Sequence, residues 1–487
     1  MKPLYLCGLD SIPIWILREF EKEKGFEALH KFFRKGKIVD LETTLPPVTN
    51  SAWTTIYTGL KPGQHGVYDF LKIDSHYNIE LQYYNPKLAT PFWEKLAKNG
   101  LKCLLITPII VTSLPEARKN VSIITGFPLF YKTNNSELKK LMKEYDLHEE
   151  PHIETKLISR EINLETAAKM LRNEVRKKAE ITKRMLEKHG DYDFVFVCFT
   201  ETDKIQHFTL SLPNWKDYVR PILLAAVQFV EYLMNRAEGQ GGEVMLVSDH
   251  GGRSCSYGFL VNNWLTRSGY LTLKEDFVKT GIEEIKKVEK DSYVNDFLRR
   301  NFYANMPLSL RGITYSKVYN KIMSMAAGSS LDLNLDNVNI SETKAFSTIV
   351  NNIVGPIWLN DDRFVNGILS EKEKRKVKNK IMKELQKIKA LDGSKLIVNG
   401  WDGEKYYGKH PNGFIAPDVL FEVRKDYTAI LNKVSLQSDF IKLGSDRGGV
   451  HTRYGIFGVY PYEKRFKARG MKSTEVSGII LNHFTIK

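Results

Sequence analysis

Three short apolar runs in this chain each end at an acid. They are LYLCGLD (4–10), DFVFVCFTETD (193–203) and EVMLVSDHG (243–251). A fourth run, LKCLLITP (101–108), has no such ending. Helical patterns lie between them, over 14–36, 91–100, 163–189 and 217–237. Strands that alternate with helices imply βαβ units. The expected fold is therefore α/β, with a mostly parallel central sheet and helices on both faces. In such sheets, functional groups collect at the carboxyl ends of the strands. Acids at three of these ends are the first sign of a shared site.

A chain of 487 residues exceeds one ordinary core. Residues 253–345 lack clear strand alternation and read as an inserted helical cap. The expected division is 1–252 for the first part of the core, 253–345 for the cap and 346–487 for the second part. Within the last part, 346–365 and 418–423 are expected to return to the sheet as strands. A strongly charged helix is expected over 369–392 between them. GSDRGGVHTRYGIFGVY (444–460) is glycine-rich, then strand-like.

With 42% hydrophobic and 26% charged residues, the chain is globular rather than disordered. Its net charge of +15 is spread widely, with local Lys/Arg clusters at 138–143, 176–184, 373–388 and 463–472. Most have interleaved Glu and read as solvated helix faces, so no specific nucleic-acid partner is expected. Cys7, Cys103 and Cys198 sit inside apolar runs and are expected as buried thiols. With Cys255 they form no C-x-x-C pair, so neither a thiolate zinc site nor a disulfide framework is indicated. The run at MKPLYLCGLD is too short for a signal peptide, and no apolar stretch reaches eighteen residues. The expected compartment is the cytoplasm, with no transmembrane segment.

The chemistry-bearing candidates are few. Asp10 ends the first run. Asp203 and His207 form D-x-x-x-H, which one helical turn would place on one face. Asp249 and His250 follow VMLVS, and His451 sits in GGVHTRYG. Each has a plain alternative: a helix cap for Asp10, a surface i,i+4 pair for Asp203 and His207, a turn at DHGG, and a solvated imidazole at 451. Together, three carboxylates and three imidazoles suit divalent ions such as zinc. Two ions about 4 Å apart are a common device for in-line phosphoryl displacement. The stretch TLPPVTNSAWTTIYTGLKPGQHG (44–66) offers hydroxyls at Thr44, Thr49, Ser51, Thr54, Thr55 and Thr58. A threonine hydroxyl needs a base or a metal to become a nucleophile. Position in the stretch alone does not choose among them.

These motifs resemble the alkaline phosphatase superfamily, and within it the type I phosphodiesterase/nucleotide pyrophosphatase branch. The matching segments are GLDS, PPVTNSAWTTIYTGLKPGQHGVYDF, ETDKIQHF, SDHGG and GGVHTRYGIF. The second carries the TG-x-x-P-x-x-HG signature at Thr58, Gly59, Pro62, His65 and Gly66. The resemblance implies Thr49 as nucleophile. It implies one metal at Asp10, Thr49, Asp249 and His250, and a second at Asp203, His207 and His451. Two zinc ions, or manganese, and a small phosphate-ester substrate follow from it. Helix formation just after Thr49 would aim N–H groups at the phosphate, with Asn50 as an added donor. Lys204 and Arg253 are candidate phosphate contacts. In one place the chain departs from the branch: VYDFLK, after the HG signature, has no Asn to hold a phosphate oxygen. That departure leaves diester preference unsecured, and a phosphodiesterase or other phosphoryl-ester hydrolase, as the family resemblance implies, is the leading expectation. A phosphomutase or phosphomonoesterase is the alternative, and a basic nucleic-acid-binding protein with a relic site the third.

Overall fold

The computed structural model describes residues 2–82, 89–111, 114, 119–126, 130–149, 151–190, 192–279, 330–348, 352–408, 415–435, 438–444, 448–462 and 470–486. Most of the expected insert (280–329) and most of the basic 463–472 stretch lie outside them.

The acid-tipped runs are adjacent strands. The large sheet contains β1 (Leu4–Leu9), β2 (Lys37–Glu42), β3 (Cys103–Ile106), β4 (Val121–Ile124), β5 (Phe194–Phe199), β6 (Glu243–Val247), β7 (Tyr454–Tyr460) and β8 (Met471–Lys472). Their order is β8-β2-β7-β6-β1-β5-β3-β4. Every neighbouring pair is parallel except those made by β7. β1 lies between β5 and β6, so the three acidic ends stand side by side.

Both faces of this sheet are covered, which is why its strands are apolar throughout. Alternate residues serve different cores. Tyr5, Cys7 and Leu9 pack with residues of α2 (Leu164–Lys188) and α4 (Trp215–Gln240). Leu4 and Leu6 pack with Trp53 and Tyr57 of α1 (Thr49–Thr58) and Val476 of α6 (Ser473–His483). The 14–36 pattern is two helices, Ile14–Phe20 and Glu27–Lys35, parted at Gly25, whose φ of 94° is left-handed.

The strands expected to rejoin the large sheet do not. Val354–Leu359 and Val419–Val423 pair with each other, in a four-stranded sheet with Ala345–Phe346 and Ile397–Asp402. A second sheet is built around Gly251–Leu260. These share a core that runs from Phe259 to Val434 and includes Leu45, Tyr68 and Ile73. This second body is thus wider than 253–345. An apolar run shows that a strand is buried, but not which sheet buries it. The strand that does return is β7.

The charged 369–392 stretch forms α5 (Glu371–Leu385), capped by Ser370 accepting from the Glu373 N–H. Its Lys374 and Lys378 are buried rather than solvated. Lys374 pairs with Asp361 at 2.7 Å and Asp418 at 3.4 Å, and Lys378 with Glu404 at 2.8 Å and Asp402 at 3.1 Å. All four cysteines are buried free thiols. No described helix is long and apolar enough to cross a membrane.

One buried ion pair anchors the helix after β5. Lys178 of α2 meets Glu201, the first residue of α3 (Glu201–Thr209), at 2.7 Å, with both side chains at most 2% exposed. Removing one member leaves a charge without its counterion in the core. Lys178→Met is expected to lower unfolding free energy by about 3–5 kcal/mol in denaturant titration. A loss below about 1 kcal/mol would contradict this anchoring role.

Candidate active site and metal centre

The hydroxyl-rich stretch sorts itself once folded. All ten residues of α1 are buried, and Thr49 is its first. Thr54 and Thr58 donate to the carbonyls of Asn50 and Thr54, each at 2.7 Å. His65 Nδ1 accepts the Val67 N–H at 3.1 Å, so Nε2 carries the proton and donates to Thr55 Oγ1 at 2.9 Å. Burial pushes the His65 imidazole down to about 3, keeping that tautomer neutral. Thr44 and Ser51 bond each other at 3.3 Å. Thr49 instead points at the acids and imidazoles, its Oγ1 lying 3.1 Å from His250 Nε2. Ala52 is the first residue of α1 to donate along the helix, to Val48 at 2.9 Å. The N–H groups before it have no acceptor within the helix.

The six candidate ligands converge. Asp203 Oδ2 is 3.2 Å from His207 Nε2, Asp203 Oδ1 is 3.4 Å from His451 Nε2, and the two imidazole nitrogens are 3.2 Å apart. His250 Nε2 lies 3.2 Å from Asp249 Oδ2 and 3.7 Å from Asp10 Oδ1. The His250 and His451 rings stack with centroids 3.8 Å apart. Two metal-capable groups result, Asp203/His207/His451 and Asp10/Asp203/His250, with Asp203 in both. A third, Asp361/Asp362/Glu371, is already served by cations: Lys374 and Arg363 hold Asp361. Asp10 does not cap the following helix, whose N-cap is Pro13.

The tautomers fit a metal. Nδ1 of His207, His250 and His451 faces the carbonyl of Gly449, Gly251 and Pro47, at 3.3, 3.2 and 2.9 Å. A carbonyl can only accept, so each Nδ1 carries a proton and each Nε2 is left to ligate. Across the 3.2 Å gap to His451, the inward charge is supplied either by a proton on His207 or by a bound cation that both Nε2 atoms ligate. With Zn–N distances of about 2.0–2.1 Å, two nitrogens on a tetrahedral zinc stand roughly 3.3 Å apart.

Protonation tells the same story. Burial raises Asp10 well above the usual carboxylate range, and the charges of Asp249 and Asp203 add to it. Burial also pushes Asp249 up to about 8. The neighbouring Asp249 carboxyl raises Asp10 further, while Asp10 works against the rise at Asp249, so the pair binds protons far more readily than two free carboxyls. Burial opposes ionisation of Asp203, but His207 and His451 overcome it and hold that carboxyl well below its usual range. Burial acts to deprotonate His207, but Asp203 overcomes it and pushes His207 up to about 9. For His250, burial first and then His451 hold the imidazole well below its usual value.

Local sequence explains the placement. Asp203 and His207 share one face of α3. Gly449 lets the strand Gly449–Thr452 press on α3, since a Cβ there would come within 2.7 Å of the His207 Cα. The side chains of Asp203, His207 and His451 are 14%, 35% and 13% exposed, while those of Asp249 and His250 are fully covered. The site therefore opens on the His207 side.

Two expected phosphate contacts are placed otherwise. Asn50 Nδ2 donates to the carbonyls of Asp69 at 2.8 Å and Gln82 at 2.9 Å, so both amide protons hold the segment after the HG signature. Arg253 Nη2 donates to the carbonyls of Arg424 at 3.3 Å and Tyr427 at 3.1 Å. Both are local acceptor choices that a motif match does not reveal. Lys204 is buried near Asp10; burial pushes its ammonium down to about 7, and the Asp10 charge opposes that. Sequence reasoning missed Trp53, whose indole N–H donates to Asp10 Oδ2 at 3.3 Å. It lies four residues beyond Thr49, on the same face of α1, and that spacing was the available signal.

Two measurements follow from this geometry. Divalent-ion binding at pH 7 must displace the protons held by His207 and by the Asp10/Asp249 pair. Calorimetry in buffers of different ionisation enthalpy should show release of roughly two protons, with affinity rising from pH 6 to 9. Affinity independent of pH, with no proton release, would contradict the protonation scheme. Trp53→Phe, which removes one donor to a ligand carboxylate, should weaken binding by about 10–100-fold in chelator competition. Unchanged affinity would deny the indole this role.

The profile of the type I phosphodiesterase/nucleotide pyrophosphatase family matches residues 6–430. No curated protein sequence matches the chain significantly. Among solved structures, phosphonoacetate hydrolase from Sinorhizobium meliloti superposes with a TM-score of 0.56 at 12% identity, covering 99% of this chain and 95% of that one. Murine ectonucleotide pyrophosphatase/phosphodiesterase 5 gives 0.52 at 12% identity, covering 100% and 96%. The human form of the latter gives 0.50 at 13% identity, covering 100% and 96%. At these identities the likeness speaks for the fold alone, an α/β architecture with a mostly parallel central sheet. The family follows from the profile match across most of the chain: this protein belongs to the type I phosphodiesterase/nucleotide pyrophosphatase enzymes.

Proposed function

We propose that the protein hydrolyses a phosphate diester or pyrophosphate with two divalent ions, through a covalent phospho-threonine at Thr49. The observation that carries this reading is the Thr49 hydroxyl. It starts a buried helix and lies 3.1 Å from His250 Nε2, beside the acid–imidazole cluster. Asp10, Thr49, Asp249 and His250 would hold one ion, and Asp203, His207 and His451 the other. The mix of carboxylate and imidazole suits zinc, with manganese as the alternative. Such ions supply Lewis acidity, which lowers the pKa of a neighbouring hydroxyl and neutralises phosphoryl oxygens.

The chain's own residues do the rest. The N-terminus of α1 directs backbone N–H groups at the phosphoryl oxygens. Thr49 Oγ, once deprotonated, bonds to phosphorus while the bond to the leaving oxygen breaks. Water then cleaves the phospho-threonine and restores the hydroxyl. Trp53 and the Ser11 N–H, which donates to Asp249 Oδ1 at 3.4 Å, hold the carboxylates in place. Lys204 contributes positive charge close to Asp10.

A second reading, phosphomonoesterase or phosphomutase, is favoured by one observation. The segment after HG reads VYDFLK without an Asn, and Asn50 does not replace it. The nucleic-acid reading loses ground, because Lys374 and Lys378 of the strongly basic α5 are spent on internal ion pairs.

With zinc or manganese, the purified protein is expected to cleave bis-p-nitrophenyl phosphate or the p-nitrophenyl ester of thymidine monophosphate, and EDTA to abolish the activity. Thr49→Ala should lower kcat by at least about a thousandfold. Full activity in that variant would sink the nucleophile assignment. Strong monoesterase without diesterase activity would favour the second reading.

A further inference from the structure

The loop that delivers Thr49 is gripped from outside the large sheet. Residues 44–48 lead into α1, and three side chains of the second body bond to their main chain. The Leu45 N–H donates to Tyr406 Oη at 3.0 Å, and Tyr407 Oη donates to the Leu45 carbonyl at 2.8 Å. Asn352 Nδ2 donates to the Pro47 carbonyl at 3.1 Å. That same carbonyl accepts from His451 Nδ1 at 2.9 Å. One oxygen thus joins the second body, a candidate metal ligand and the peptide two residues before Thr49.

The gripping residues are themselves fixed. Asn352 is buried, its Oδ1 accepts the Val354 N–H at 3.3 Å, and its backbone pairs both ways with Ala429 at 2.8 and 3.2 Å. Tyr407 is buried and packs edge-on against Tyr68 with ring centroids 4.4 Å apart. Gly63, within the TG-x-x-P-x-x-HG signature, lies so close to the Tyr407 carbonyl that a Cβ would overlap it. Both ends of the 44–66 stretch therefore dock on the short helix Gly403–Tyr407.

We propose that Asn352, Tyr406 and Tyr407 are positioning residues: the second body sets the approach of the Thr49 hydroxyl and, through Pro47, the orientation of the His451 imidazole. The inference rests on Thr49 being the nucleophile. Asn352 acts on both groups because it shares an acceptor with His451. The two tyrosines act on the loop alone. A reacting atom displaced by about 1 Å can cost about a hundredfold in rate. Loss of the partner that orients a ligand imidazole costs about 10–100-fold in metal affinity.

The test uses the full-length chain carrying Asn352→Ala, Asn352→Asp (isosteric, without the donor), Tyr407→Phe or Thr49→Ala. It reads kcat and KM on bis-p-nitrophenyl phosphate at saturating metal, chelator-competition affinity and melting temperature. Both Asn352 variants are expected to lose at least about tenfold in kcat, with KM within about threefold, and to bind metal at least about tenfold more weakly. Tyr407→Phe is expected to lose kcat with metal affinity unchanged. If Thr49→Ala is inactive while the Asn352 and Tyr407 variants keep kcat within about twofold, the positioning role is overturned and the nucleophile stands. Losses that follow melting temperature, rather than the carbonyl each residue contacts, overturn it as well. Full activity in Thr49→Ala removes the nucleophile reading on which the inference rests.

Discussion

Three carboxyls and three imidazoles meet here in a largely buried space, and that crowding is the constraint the rest depends on. Carboxylates this close repel one another unless positive charge lies between them. The chain answers by holding protons on the Asp10/Asp249 pair, raised by burial, and on His207, raised by Asp203. It also fixes every Nδ1 on a backbone carbonyl, leaving each Nε2 pointing inward. A cluster built only for stability would not keep such repulsion, because apolar residues of similar volume serve a core at least as well. The arrangement has a physical rationale as a receptor for cations.

The parallel sheet supplies the precision. β1, β5 and β6 are neighbours in register, so their ends bring Asp10, the 200–203 turn and Asp249 together. α3 adds His207 one turn beyond Asp203, and Gly449 admits the strand that carries His451. α1 brings Thr49 to the cluster and sends Trp53 beneath it to Asp10. The segments before and after that helix are tied to the second body through Leu45, Pro47 and Gly63. Two bodies with separate cores therefore meet at the loop that leads to Thr49.

Much of this was legible in the chain. Acids at the ends of apolar runs gave the sheet and half the site, and i,i+4 spacing gave Asp203 with His207. The hydroxyl was not legible from its own stretch. Thr54, Thr55 and Thr58 look equivalent to Thr49 until their acceptors are seen, and the family motif made the choice. Asn50 and Arg253 misled because an amide or guanidinium near a site has many acceptors within reach, and here the main chain took them. The runs at 354–359 and 419–423 misled for a different reason. Burial is written in the sequence, whereas pairing between distant strands is settled by packing of the whole body.

The central claim is that this cluster is a two-cation site with Thr49 at its edge. Anomalous diffraction from crystals grown with zinc tests it most directly. The account requires two zinc peaks about 4 Å apart, one among Asp203, His207 and His451, the other among Asp10, Thr49, Asp249 and His250. Catalytically active protein with no anomalous peak among these residues, or with zinc bound only elsewhere, would contradict it.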